Sequence, residues 1–231
     1  MKKLLFFIFY LLFINNHVNA VIEVDITRGN LDPLPIAVSP FYHEKGSSNI
    51  SQGDETIKNV GEEIAKIIEV NFKRSGLFNP LKKEAFVQKP DIAHVKPRFE
   101  DWRLIKAQAL VTGKVTITEG KLRTEFRLWD VVASKEIAAL AFSTSQDNWR
   151  RVAHIISDKI YERLTGEQGY FDTRIIYVSE TGEKTQRIKK LAIMDQDGAN
   201  IKYLTLGNEL VLTPRFSPKN QLVTYLSYFR N

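Results

Sequence analysis

The apolar positions along this chain change period several times, and each change predicts an element. Residues 4–14 form an unbroken apolar run behind Met1, Lys2 and Lys3. Ile22, Val24 and Ile26 then alternate with Glu23 and Asp25, which is the period of a strand. Residues 34–41 (LPIAVSPF) are apolar and bounded by prolines, as in a buried strand, and Gly46, Ser47 and Ser48 make a loop. Ile57, Val60, Ile64, Ile68 and Phe72 recur at spacings of three and four, predicting a helix over 56–75 with Gly76 as its stop. A brief helix is expected over 99–106.

The next stretch reads as an antiparallel meander. Val111, Gly113, Val115 and Ile117 alternate with threonines and a lysine, Glu119-Gly120 turns, and residues 122–130 return before a third strand over 137–143. One face of such a sheet packs and the other is more exposed. A second helix over 149–164 offers Trp149, Val152, Ile156, Ile160 and Leu164 as a stripe to cover the packed face, with Gly166 ending it. Two helices on a small mixed sheet make an α+β domain.

After Gly169 only strands are expected, over 174–180, 190–195, 201–206, 211–218 and 221–228. Ile175-x-Tyr177-Val178-Ser179 repeats as Val223-x-Tyr225-Leu226-Ser227. The spacing between the copies is that of propeller blades, with about four short strands per unit.

The first residues read as an address. The lysines, the 11-residue apolar run and the exit Val18-Asn19-Ala20 form a signal peptide over 1–20 with cleavage after Ala20. A membrane-spanning helix needs about 20 apolar residues. The expected organisation is therefore 1–20 signal, 21–167 α+β domain and 168–231 strand-only portion, in an exported protein.

Composition narrows the chemistry. The 231 residues carry 33 Lys plus Arg and 27 Asp plus Glu, a net charge of +6, and 43% are hydrophobic, too many for a disordered chain. Cysteine is absent, which removes disulfides, thiol nucleophiles, iron–sulfur clusters and lipidation at the cleavage point. There is no G-x-S-x-G elbow, no phosphate-binding G-x-x-x-x-G-K-[ST] and no G-x-G-x-x-G. His17, His43, His94 and His154 are scattered, without the spacing of a zinc site, so no metal, cofactor or catalytic residue is assigned. Asp195-x-Asp197-Gly198 lacks the later ligands of a calcium loop and reads as a blade turn. The basic doublets at Lys73, Lys82, Arg150 and Lys189 are dispersed among acids, unlike a nucleic-acid surface.

The order of these segments resembles the TolB family of the bacterial Tol–Pal envelope system. The resemblance rests on the signal peptide, the acidic-apolar strand at 21–26, PIAVSPF at 35–41, RSGLFNPL at 74–81, ALVTGKV at 109–115, ERLTG at 162–166 and TRIIYV at 173–178. Pro214-Arg215-Phe216-Ser217-Pro218-Lys219-Asn220 is similar to the family's blade turn, with Lys219 and Asn220 where Asp and Gly are usual. Asn220 is expected to supply the positive φ of that glycine. The resemblance implies a six-bladed propeller, of which this chain would hold the first blade and the start of the second. It also implies a non-enzymatic adaptor supporting outer-membrane integrity and constriction at division. Its partners would be TolA, the lipoprotein Pal, which would place it at the outer membrane, and the colicins that exploit the system. The strand Val21, Ile22, Glu23, Val24, Asp25 and Ile26 is then the segment expected to dock on TolA by strand addition. The alternative is a fragment of a secreted propeller-containing hydrolase without its catalytic domain.

Overall fold

A computed structural model describes residues 22, 32–44, 50–52, 55–57 and 59–229. The expected signal peptide lies outside the described residues. So does the expected N-terminal strand, apart from Ile22.

The first portion runs β1 (Leu34–Val38), β2 (Tyr42–His43), β3 (Ile50–Gln52), β4 (Glu55–Ile57), α1 (Val60–Ser75), β5 (Phe78–Pro80), α2 (Pro90–Ala93), α3 (Phe99–Leu104), β6 (Ala109–Thr118), β7 (Lys121–Asp130), β8 (Lys135–Ser145) and α4 (Trp149–Thr165). The helix expected from residue 56 begins instead at Val60. The Asn59 side chain caps it by accepting from the Glu62 N–H at 3.2 Å. Strand β3 pairs antiparallel with β4, Ile50 opposite Ile57 and Gln52 opposite Glu55. Both long helices end on a left-handed glycine, Gly76 at φ 73° and Gly166 at φ 75°.

The main sheet has the order β5-β1-β6-β7-β8, with β2 continuing alongside β6. Strands β1, β2, β5 and β6 run parallel where they pair, and the meander β6-β7-β8 is antiparallel. Helices α1 and α4 pack together over one face. Their Ile64, Ile68, Phe72, Ile156, Ile160 and Leu164 close on Val111, Ile117, Leu122, Phe126 and Leu128.

The opposite face is more covered than expected. Residues 109–113 of β6 are buried on both sides. A second core of Ala37, Trp102, Leu110, Trp129 and Val131 lies there, flanked by Phe86 and Phe99. The two indoles find acceptors, Trp129 Nε1 donating to Thr112 Oγ1 at 2.9 Å and Trp102 Nε1 to Gln88 Oε1 at 3.1 Å.

The second portion contains β9 (Arg174–Thr181), β10 (Ile188–Asp195), β11 (Lys202–Tyr203), β12 (Glu209–Phe216) and β13 (Val223–Phe229). They form two open antiparallel sheets, β11-β10-β9 and β12-β13, with Leu191, Ala192 and Val211 buried. The repeated sequence occupies corresponding strands, β9 and β13. The break between sheets falls after β11, so β12 opens the second sheet rather than completing the first. Pro214 is accommodated at a register shift between Leu212 and Arg215, where Thr213 takes φ 46°. The turn at 217–222 uses no left-handed residue, contrary to the role expected of Asn220. Ser217 Oγ instead accepts from the Asn220 N–H at 3.2 Å, and the Ser217 N–H donates to Leu222 O at 2.9 Å.

Candidate functional site

Two places bring functional groups together: the point where the N-terminal segment meets the sheet, and the joint between the helix pair and the strand-only portion.

At the first, Ile22 is partly buried against the main core. Its backbone N–H donates to Asp130 Oδ2 at 3.3 Å. Asp130 ends β7 and is only 2% exposed. Its Oδ1 accepts from the Ala133 N–H at 2.7 Å, which shapes the β7–β8 turn. One oxygen of a buried carboxylate thus serves the turn and the other serves the N-terminal segment. Of the residues expected to dock on a partner, Val21, Glu23, Val24, Asp25 and Ile26 lie outside the described residues, as does Ala20.

The second place was not foreseen from the sequence. Asn71 on α1 and His154 and Ser157 on α4 are polar side chains buried where the helices face each other. Asn71 Nδ2 lies 3.0 Å from His154 Nδ1 and donates to Ser157 Oγ at 2.9 Å. From the turn after β10, Gln196 Nε2 donates to Asn71 Oδ1 at 3.1 Å. Arg74 of α1 donates to both Gln196 Oε1 and Gln196 O. In the same turn Asp197 forms an ion pair with Arg150 of α4, and its Oδ2 stands 3.5 Å from His154 Nε2. The sequence cue was available in outline, because Asn71 sits next to Phe72 on the apolar stripe of α1 and His154 lies beside Ala153 on that of α4.

Burial holds the His154 imidazole below the ordinary histidine range, against the pull of Asp197. Burial also pushes the Asp197 carboxyl upward, but the Ala199 N–H and the Arg150 charge outweigh it and leave that group below the usual carboxylate range. Among the described residues, His154, Asp195 and Asp197 are grouped with potential metal-ligating atoms within 4.8 Å of one another.

Residues 22–137 match the family described as the TolB amino-terminal domain, and residues 161–231 match the TolB beta propeller domain. The chain is 70% identical over 212 residues to the Tol-Pal system protein TolB of Pelagibacter ubique (strain HTCC1062), a match covering 92% of this chain and 48% of that protein. Among solved structures it resembles TolB from Acinetobacter baumannii with a TM-score of 0.69 at 23% identity, over 90% of this chain and 47% of that one. The chain spans about half the length of these relatives.

Proposed function

The chain belongs to the TolB family, and from that premise we propose that it serves as a periplasmic, non-catalytic adaptor of the Tol–Pal system. The observation that carries this reading is the match to a Tol-Pal system protein along nearly the whole of this chain. In this reading the segment Val21 to Ile26 adds as a strand to the C-terminal domain of TolA, with Ile22, Val24 and Ile26 filling alternate pockets and Glu23 and Asp25 favouring a basic rim. The propeller portion, to which β9–β13 belong, receives Pal.

The tether at Ile22 suits an exchangeable segment. Among the described residues it is made by the partly buried Ile22 side chain and by that residue's backbone hydrogen bond to the Asp130 carboxylate, an interaction worth about 1.5–3 kcal/mol. Deleting residues 21–26 should abolish co-purification with the TolA C-terminal domain. The melting temperature should fall by only about 2–4 °C for each kcal/mol lost. TolA retained by the deleted chain would place the docking surface elsewhere, and global unfolding would make the segment structural.

Export is tested separately. Protein recovered from the periplasm should begin at Val21 by N-terminal sequencing. Intact Met1 in the membrane fraction would mean that residues 4–14 anchor the chain instead.

A further inference from the structure

The joint between the helix pair and the first open sheet has a direction, and that direction fixes a proton. A guanidinium has donors only, so Arg74 can meet Gln196 Oε1 but never its NH2. Gln196 must therefore turn its NH2 toward Asn71, which presents Oδ1 to it. Asn71 is then left with Nδ2 facing both His154 Nδ1 and Ser157 Oγ. Ser157 accepts this bond because its own hydroxyl donates to Ala153 O at 2.9 Å. Reversing either amide would set an N–H against an N–H. His154 Nδ1 is thus an acceptor, and in the neutral ring the proton sits on Nε2.

That Nε2–H has no hydrogen-bond partner among the described residues, and His154 is 2% exposed. It points toward Asp197 at 3.5 Å, too far for a well-made bond. The same tautomer argues against a metal at His154, Asp195 and Asp197. A ligating neutral imidazole needs its lone pair on the metal side and a proton on the other nitrogen, and the positive Arg150 already occupies Asp197.

We infer that His154 is a proton-operated catch between the helix pair and the strand-only portion. With Nδ1 unprotonated, it terminates the chain of bonds Arg74–Gln196–Asn71–His154 and holds the β10–β11 turn onto α1 and α4. A solvent proton taken up at Nδ1 turns that acceptor into a donor, leaves the Asn71 NH2 without it, and releases the turn.

Several charged groups bear on the ring. Arg150 and Asp158 lie on its own helix, Asp195 and Asp197 in the facing turn, and Asp172 in the connection to β9. Arg74 on α1 reaches it only through the two amides. The carboxylates favour a second proton, whereas Arg150 and burial oppose it, and burial prevails. The folded joint therefore binds fewer protons at this ring than the unfolded chain does. Its stabilisation is complete above the ordinary histidine range, about pH 6.5, and is lost as pH falls through the lower titration of the folded state.

Two measurements on the chain test the catch. Nitrogen-15 correlation spectra of the imidazoles, with His154 assigned by its loss in His154→Gln, should show the Nε2–H tautomer at about pH 7.5 and no change on adding Zn²⁺. A Nδ1–H tautomer, or a Zn²⁺-shifted His154, would overturn the inference. Hydrogen exchange at the Gln196 amide, which donates to Thr173 O at 3.1 Å, reports on the turn. After correction for intrinsic rates, its protection should fall by up to about tenfold per pH unit from about pH 6.5 down to the lower titration of the folded ring, and level off below it. In His154→Gln, where an amide oxygen can still accept from Asn71 but cannot titrate, protection should be independent of pH. An equal pH slope in the variant, or none in the parent, would refute the catch.

Discussion

Phe41→Ala should lower the stability of the amino-terminal portion by about 3–5 kcal/mol, the range for deleting a buried phenylalanine ring. For a domain of this size that corresponds to a fall in melting temperature of roughly 6–20 °C. Phe41 closes the segment PIAVSPF and is 2% exposed. Its backbone N–H donates to Gly61 O on α1 at 3.1 Å. The chain passes so close to the helix that a Cβ on Gly61 would stand 2.1 Å from Phe41 O. On the other side the ring lies against β6, where a Cβ on Gly113 would meet its edge at 2.4 Å and Glu125 O at 2.7 Å. Two glycines from distant segments thus make the slot that one phenylalanine fills. The diagnostic variant is Gly61→Ala. In a helix interior that change ordinarily gains about 0.5–1 kcal/mol. Here it should destabilise, because the obstacle is backbone and cannot swing away. Chemical denaturation followed by tryptophan fluorescence would decide, and a neutral or stabilising Gly61→Ala would refute the slot.

The elements that could be read from the sequence were those whose patterns are local. The meander shows its period of two directly, because β6, β7 and β8 are joined by short turns and one face is consistently apolar. The two long helices declare themselves by stripes and by Gly76 and Gly166. The start of α1 was misplaced because Ile57 falls on the helical spacing. What decides the boundary is the cap at Asn59, a hydrogen bond rather than a period. The covering of the second sheet face was not legible either. Trp102 reaches it from the short helix α3 and Phe86 from the connection after β5, segments too short to show a periodicity. In the strand-only portion the repeat was visible, but the division into sheets was not. Whether β12 joins β11 or β13 depends on pairing across space, and the register shift at Thr213 and Pro214 has no alternating signature.

The joint illustrates a further limit. Asn71 and His154 stand 83 residues apart, and Asn71 and Gln196 stand 125 apart. Each alone looks like an ordinary polar residue on an apolar stripe or in a turn. Asp197-Gly198 was read as a blade turn, and Gly198 indeed takes φ 87° there. Nothing local announced that the aspartate would be directed back at Arg150 and His154. Polar constellations of this kind arise from three chain segments meeting, so they follow the fold rather than predict it.

The connection between the two portions carries the other large expected effect. The change to a strand-only pattern near residue 168 suggests a modular boundary, and Phe171, beyond it, is 1% exposed in the main core. Its ring meets Phe72, Tyr161 and Tyr170 at centroid distances of 6.4, 5.7 and 4.6 Å. Asp158 of α4 accepts from the Phe171 and Asp172 N–H groups at 2.6 and 3.0 Å. A Cβ on Gly169 would come within 2.4 Å of the Asp158 backbone, so the segment lies flat on the helix. Phe171→Ala should therefore cost about 3–5 kcal/mol and open residues 167–173 to proteases. In the parent chain, limited proteolysis should remove the open sheets first, since unpaired edges and exposed Tyr203, Leu206 and Tyr228 leave them weakly held. The surviving fragment should keep Phe171 and end beyond Asp172. A fragment ending at 166–168 that melts at the same temperature as one ending at 173 would show that Phe171 adds nothing to the core. A fragment ending at 173 that is the more stable by several kcal/mol would place the mechanical boundary of the amino-terminal portion at the first residue of β9.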